Sequence, residues 1–173
     1  EVITGFRHAL GGYQSICGVT PDLTTMGKAM ANGYPMAALA GRADLMDHFA
    51  TKAGGDTFFA GTFNAHAYCT TAALATIDLL EDGSIHRRIY ELGDRLGQGL
   101  QSILDKLGFD ATVVTFGSVV VPYFLTGPIQ SFTDLLRSNN ALDVGLRRGM
   151  IDRGFFMIPI AMKRNHISAS HTQ

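Results

Sequence analysis

Lys28 closes a threonine-rich apolar run, Thr24-Thr25-Met26-Gly27-Lys28-Ala29, and Asn32-Gly33-Tyr34-Pro35 follows shortly after. Small and apolar neighbours can draw an ammonium group out of bulk water. Desolvation disfavours the charged form, and the neutral amine it leaves can attack a carbonyl and form a Schiff base. Most lysines are solvated surface charges, so the wider context has to decide. Gly61-Thr62 stands ahead of a helix expected from position 64, and a hydroxyl with backbone N–H groups at such a place forms an anion site. Read alone, Thr62 is equally a helix-entry residue.

Other chemistries find no support. A P-loop needs glycine at position 22 and Ser or Thr after the lysine, where the chain has Asp22 and Ala29. His66, His86, His166 and His171 lack metal-ligand spacing, so no metal site is expected. Cys17 and Cys69 have no nucleophile's surroundings and are expected to be buried.

The elements that must position these residues come from a chain of 173 residues, 46% hydrophobic and 17% charged, enough for a sizeable core. A net charge of −1 gives no electrostatic reason to expect nucleic acid or an anionic membrane. No run approaches the roughly 20 apolar residues of a membrane span. Two cysteines are too few for a disulfide framework, which points to a reduced, cytoplasmic compartment. Glu1-Val2-Ile3 starts without an initiator methionine and Ser170-His171-Thr172-Gln173 stops abruptly, so the chain reads as an internal piece of a longer protein.

Patterning predicts strands over 2–4, 23–25 and 36–41, the last a small apolar run suited to burial on both sides. Helices are expected over 43–50 and 64–80, with Asn64 as N-cap and Gly83 as a stop. Ile85, Ile89, Leu92, Leu96, Leu100, Ile103, Leu104 and Leu107 repeat at steps of three and four, a core-facing stripe between Ser84 and Gly108. Beyond it, strands are expected over 111–116 and 118–125, helices over 131–137 and 142–153, and further strands over 155–158 and 166–169. Strands alternating with helices thus give way to paired strands flanked by helices, with a boundary placed between 83 and 84.

Glu1-Val2-Ile3-Thr4-Gly5-Phe6-Arg7, then Gly18-Val19-Thr20-Pro21-Asp22-Leu23-Thr24-Thr25-Met26-Gly27-Lys28, resembles the catalytic stretch of class III (subgroup II) pyridoxal-phosphate aminotransferases. Gly41-Arg42, Ala60-Gly61-Thr62-Phe63-Asn64 and Arg164-Asn165-His166-Ile167-Ser168-Ala169-Ser170-His171-Thr172 continue the likeness in order, nearest to glutamate-1-semialdehyde aminomutases and related aminotransferases. The resemblance implies an α/β fold of fold type I: the later part of the large cofactor domain over 1–83 and a small α+β C-terminal domain over 84–173. It implies pyridoxal 5'-phosphate as cofactor, with Lys28 as Schiff-base and proton-transfer residue, Val2 against the ring, and Gly61 and Thr62 on the phosphate. The family's pyridinium-binding aspartate would come just before Glu1.

The family threonine usually serves the neighbouring subunit, so a homodimer with shared active sites is implied. The partners would be an amino donor and a keto acid or aldehyde acceptor. Lys163-Arg164 replaces the acidic and small residues typical of aminomutases, and Ala65-His66-Ala67 stands where an Asn-Pro is usual. These departures favour an ordinary aminotransferase, with Arg164 gripping a substrate carboxylate or simply solvated. A glutamate-1-semialdehyde 2,1-aminomutase, and a catalytically inactive truncated domain with a structural or dimerising role, are the alternatives.

Overall fold

The computed structural model describes residues 1–50, 52 and 54–172. The chain divides into two compact units, Glu1–His86 and Arg87–Gln173.

In the first unit, residues 2–4 form turns rather than the expected strand: the Gly5 and His8 N–H groups donate back to the Glu1 and Thr4 carbonyls at 2.8 and 3.1 Å. Helix α1 (Gly12–Cys17) ends on left-handed Gly18. Strands β1 (Leu23–Met26) and β2 (Ala38–Gly41) pair antiparallel, from Leu23 opposite Gly41 to Met26 opposite Ala38. No residue of β2 is buried, which corrects the expectation of a strand buried on both sides; a two-stranded antiparallel pair leaves its faces open. Only glycine fits at position 41, because a Cβ there would lie 2.2 Å from the Asp22 carbonyl oxygen. The helix expected over 43–50 is split into α2 (Ala43–Met46) and a 3₁₀ turn (Asp47–Phe49). Helix α3 (Ala67–Leu80) starts later than the expected position 64, and its cap is His66. The left-handed backbone of Ala65 (φ 55°) interrupts the helical run, so Asn64 closes a turn onto the Gly61 carbonyl instead of capping.

Helix α4 (Ser84–Lys106) starts where the Asp82 carboxylate accepts the Ser84 N–H at 2.7 Å, and left-handed Gly108 lies just past its end. Its apolar stripe is only partly used: Ile89 and Leu104 are buried, while Leu96, Ile103 and Leu107 are exposed. The closest packing runs along Gly93 and Gly97, both buried. Strands β3 (Thr112–Phe116), β4 (Val119–Tyr123) and β5 (Asn165–His166) form an antiparallel sheet in the order β3-β4-β5. The central strand β4 carries the buried run Val119, Val120 and Val121. Helix α5 (Phe132–Leu135) is short, and α6 (Asn140–Ile151) is capped by Asn139, whose side chain accepts the Ala141 and Leu142 N–H groups. Leu104, Ala111 and Phe124 form a buried cluster, joined by Val113 and Leu146.

The strand expected over 155–158 does not form; the Ile158 carbonyl is taken by the guanidinium of Arg147 at 3.3 Å rather than by a neighbouring strand. The strand expected over 166–169 is reduced to Asn165–His166.

The three glycines of α4 make a graded test. A Cβ at Gly93 would meet the Gly117 carbonyl oxygen at 2.0 Å, at Gly97 the Thr115 hydroxyl at 2.0 Å, and at Gly99 nothing within 4 Å. Backbone cannot yield, whereas a hydroxyl can rotate away. Gly93→Ala is therefore expected to cost about 2–3 kcal/mol and Gly97→Ala about 1, while Gly99→Ala gains roughly 0.5–1 through helix propensity. Denaturant midpoints of the three variants check the order.

Candidate active site

Strand β1 delivers the chain into a four-residue 3₁₀ turn, Lys28–Ala31. Met30 and Ala31 face inward and pack with Ala73 of α3, surrounded by Phe6, Met26, Met36 and Ala38. With the second half of the turn committed to the core, Lys28 is left on the outside, exposed. Its backbone is left-handed, φ 49°. Such a conformation in a residue with a long side chain costs on the order of 1–3 kcal/mol and persists only where surrounding structure imposes it. Here the burial of the next residues imposes it. The expectation that this chain's own residues dry the amine is corrected: Lys28 is exposed and forms no hydrogen bond or ion pair with a described residue.

Val2 comes to the same place. A Cβ on Gly27, the residue before Lys28, would lie 3.9 Å from Val2 Cγ1. Val2 is 42% exposed, so it keeps apolar surface open next to Gly27 rather than disappearing into the core. Its position is fixed by Glu1, whose carboxylate accepts the Tyr13 and Gln14 N–H groups at 3.0 and 2.8 Å and the Thr4 hydroxyl. Burial works against the charge on Glu1, but those hydrogen bonds outweigh it and hold the carboxyl below its ordinary range.

Gly61 and Thr62 lie exposed on the loop that leads into α3. The N–H groups of Gly61, Thr62 and Phe63 and the Thr62 hydroxyl have no partner among the described residues, so donors are available for an anion. The helix starts five residues after Thr62, so the site expected at a helix N-terminus is a loop site instead. No hydrogen bond joins Lys28 to Thr62 within the described residues. A hollow of about 560 Å³ opens beside this loop, lined mainly by apolar groups including Met36, Leu39, Phe49, Phe59 and Phe63; Lys28 and Thr62 are not part of it.

Gly41-Arg42 ties the two strands at their far end. Arg42 donates to Asp22 at 3.0 Å and, through two nitrogens, to Asp44 at 3.0 and 2.7 Å. These are solvent-exposed pairs, so their contribution is geometric more than energetic.

Arg164 belongs to the second unit, exposed, just before β5. It lines a cleft of about 430 Å³ with Tyr123, Phe116, Phe132 and Met162. Burial pushes the Tyr123 hydroxyl pKa up, against the pull of the nearby Arg164 charge. The sequence reading missed Asp143 and Arg147, a fully buried ion pair of this unit at 2.7 Å. The signal was present: an acid and a base four apart on one helix are neighbours. Cys69 is buried as expected, whereas Cys17 is exposed near the end of the short α1. Among the described residues no three His, Cys, Asp or Glu side chains are grouped to hold a metal, and no helix is long and apolar enough to cross a membrane.

The Aminotransferase class-III family profile matches residues 1–126. The chain is 39% identical over 173 residues to a glutamate-1-semialdehyde 2,1-aminomutase of Pyrobaculum arsenaticum, covering all of this chain and 40% of that protein. It superposes on an omega-transaminase from Sphaerobacter thermophilus with a TM-score of 0.88 at 30% identity, covering 97% of this chain and 38% of the other. A structure described as a transaminase with PLP bound gives 0.85 at 25% identity, covering 100% and 39%. The chain thus spans about 40% of the length of the curated relatives it matches.

The left-handed turn at Lys28 predicts a difference between two substitutions. Lys28→Gly removes the side-chain penalty at positive φ and Lys28→Ala keeps it, so the glycine variant is expected to be the more stable by up to about 1 kcal/mol. Paired thermal and denaturant unfolding reads this; an alanine variant that is the more stable would contradict the imposed geometry.

Proposed function

Because the chain belongs to the class-III aminotransferase family, whose profile covers residues 1–126, we propose that it forms part of an enzyme that moves amino groups with pyridoxal phosphate as cofactor. The observation that carries this reading is Lys28, an exposed lysine held in a left-handed backbone, with Val2 close to the preceding Gly27. The residues present fit the cofactor: an exposed lysine, an apolar side chain close to the glycine before it, and a loop whose N–H and hydroxyl donors have no partner among the described residues. When bound, pyridoxal phosphate supplies an aldehyde for condensation with amines and an electron-poor ring that takes up the electron pair released at the substrate Cα.

In this reading Lys28 Nζ holds the cofactor and carries the proton that leaves or returns to the substrate Cα. Val2 packs against the ring face and fixes its plane. Gly61 and Thr62 bind the phosphate through backbone N–H groups and the hydroxyl. Arg164 receives a substrate carboxylate by two parallel hydrogen bonds. The amino donor and the keto acid or aldehyde acceptor are small molecules. Residues 1–83 act as part of the cofactor domain and 84–173 as the small C-terminal domain.

A homodimer belongs to the proposal. Phe58, Phe63 and Tyr68 are 86, 75 and 77% exposed on or next to the loop that carries Gly61-Thr62. Aromatic surface of that size calls for a covering partner, and a second copy would cover it while bringing its own Thr62 to a neighbouring lysine. The two free thiols suit a reducing, cytoplasmic compartment. A second reading, a glutamate-1-semialdehyde 2,1-aminomutase, is favoured by the relative at 39% identity and opposed by Lys163-Arg164.

The proposal is tested by loading the protein with pyridoxal phosphate and following the first half-reaction with a panel of amino donors by absorbance. Lys28→Ala is expected to abolish conversion, and Thr62→Ala to weaken cofactor affinity roughly tenfold, the scale of one phosphate hydrogen bond of about 1.4 kcal/mol. Conversion that survives Lys28→Ala would overturn the assignment.

A further inference from the structure

We propose that the buried Asp143–Arg147 pair is a positioning device for Arg164, and through it determines whether the site accepts a carboxylate-bearing substrate. The inference rests on the reading above in which Arg164 meets that carboxylate. The two side chains are 1% and 0% exposed and lie four residues apart on α6.

A buried ion pair is a poor device for stability alone, since two ions lose their hydration and an apolar pair of similar volume often does as well. What it provides is direction, and here every remaining polar atom is aimed at one segment. Besides binding Asp143 at 2.7 Å, Arg147 donates to the Ile158 carbonyl at 3.3 Å and the Lys163 carbonyl at 2.6 Å. The second carboxylate oxygen of Asp143 accepts the Met162 N–H at 2.5 Å. Residues 158–163 contain no helix or strand; two turns of their own, Ile160 N–H to the Ile158 carbonyl at 2.8 Å and Lys163 N–H to the Ile160 carbonyl at 3.4 Å, shape them, and the bonds to Asp143 and Arg147 anchor them to α6. Met162 is held at φ 58°, a left-handed conformation that a residue of its shape avoids unless constrained, and its N–H is the group Asp143 grips.

The other flank of Arg164 is fixed as well. Asn165 pairs with Val120 across the sheet, and its side chain donates to the Val120 carbonyl at 3.1 Å. The backbone is therefore pinned at Lys163 and at Asn165, while the Arg164 side chain between them is exposed at the cleft it shares with Tyr123. A long, flexible side chain on a pinned backbone meets a carboxylate at smaller entropic cost than one on a mobile strap. Asp143 and Arg147 also lie within electrostatic reach of Tyr123, so the pair and the cleft form one polar assembly.

The test uses Arg147→Lys in the cofactor-loaded protein, with Met162→Gly added as a rescue, since glycine adopts the strap's left-handed turn without the clamp. Two amines are compared, alanine and isopropylamine, which differ by a carboxylate against a methyl group. Arg147→Lys is expected to raise the half-saturating concentration of alanine about tenfold and leave that of isopropylamine within twofold. It is also expected to speed amide hydrogen exchange in 158–164 at least tenfold without affecting β3 and β4, and Met162→Gly should recover both effects in part. If Arg147→Lys fails to fold, Asp143→Asn carries the same readouts. Unchanged exchange in 158–164, or equal losses for both amines, would overturn the proposal. Wild-type protein inert to both amines would sink the aminotransferase reading, and the exchange measurement would still decide whether the pair holds the strap.

Discussion

The constraint on which the site depends is the commitment of Met30 and Ala31 to the core. A short 3₁₀ turn cannot bury its second half against Ala73 and also turn its first residue inward. Lys28 is therefore forced outward and into a left-handed backbone. The packing energy of two apolar side chains, about 1.5–3 kcal/mol for a large one such as Met30, is of the same order as the local strain and offsets it, holding the amine in a place it would not choose. Glu1 and the pairing of β1 with β2 complete the frame, the first by fixing the turn that carries Val2 and the second by fixing the strand that leads to Lys28.

The second unit uses the same logic with polar groups. Its sheet rests on α4 through Gly93 and Gly97, where absent side chains let Gly117 and Thr115 approach closely. Its irregular strap is held by one buried ion pair rather than by strand pairing. In both units a residue proposed for function, Lys28 or Arg164, is itself exposed while its neighbours in the chain are fixed. Exposure leaves the reactive group accessible, and the fixed neighbours limit where it can go.

Much of this was legible in the sequence. The helix of the Ile85 stripe, the β3–β4 pair and the α6 helix follow from strong periodicity, and the family from the run ending at Lys28. What was not legible depends on tertiary contacts. The late start of α3 follows from a left-handed Ala65 that no propensity reveals. The stripe on α4 pointed to its leucines, whereas its closest contacts are glycines, which carry no hydrophobic signal. Where a strand was expected over 155–158, the Ile158 carbonyl is instead shared by a local turn from the Ile160 N–H and by Arg147, a partner that local patterning does not see. The dryness expected at Lys28 was inferred from apolar neighbours in sequence, but those neighbours bury themselves and turn the lysine away.

The central claim is that Lys28 is the residue that engages pyridoxal phosphate. The most direct measurement is borohydride reduction of the protein incubated with the cofactor, followed by peptide mass spectrometry. The account predicts a single phosphopyridoxyl adduct on the peptide containing Lys28, reduced up to about tenfold at limiting cofactor when the phosphate-loop hydroxyl is removed by Thr62→Ala. An adduct spread over several surface lysines, with Lys28 unlabelled, would contradict it.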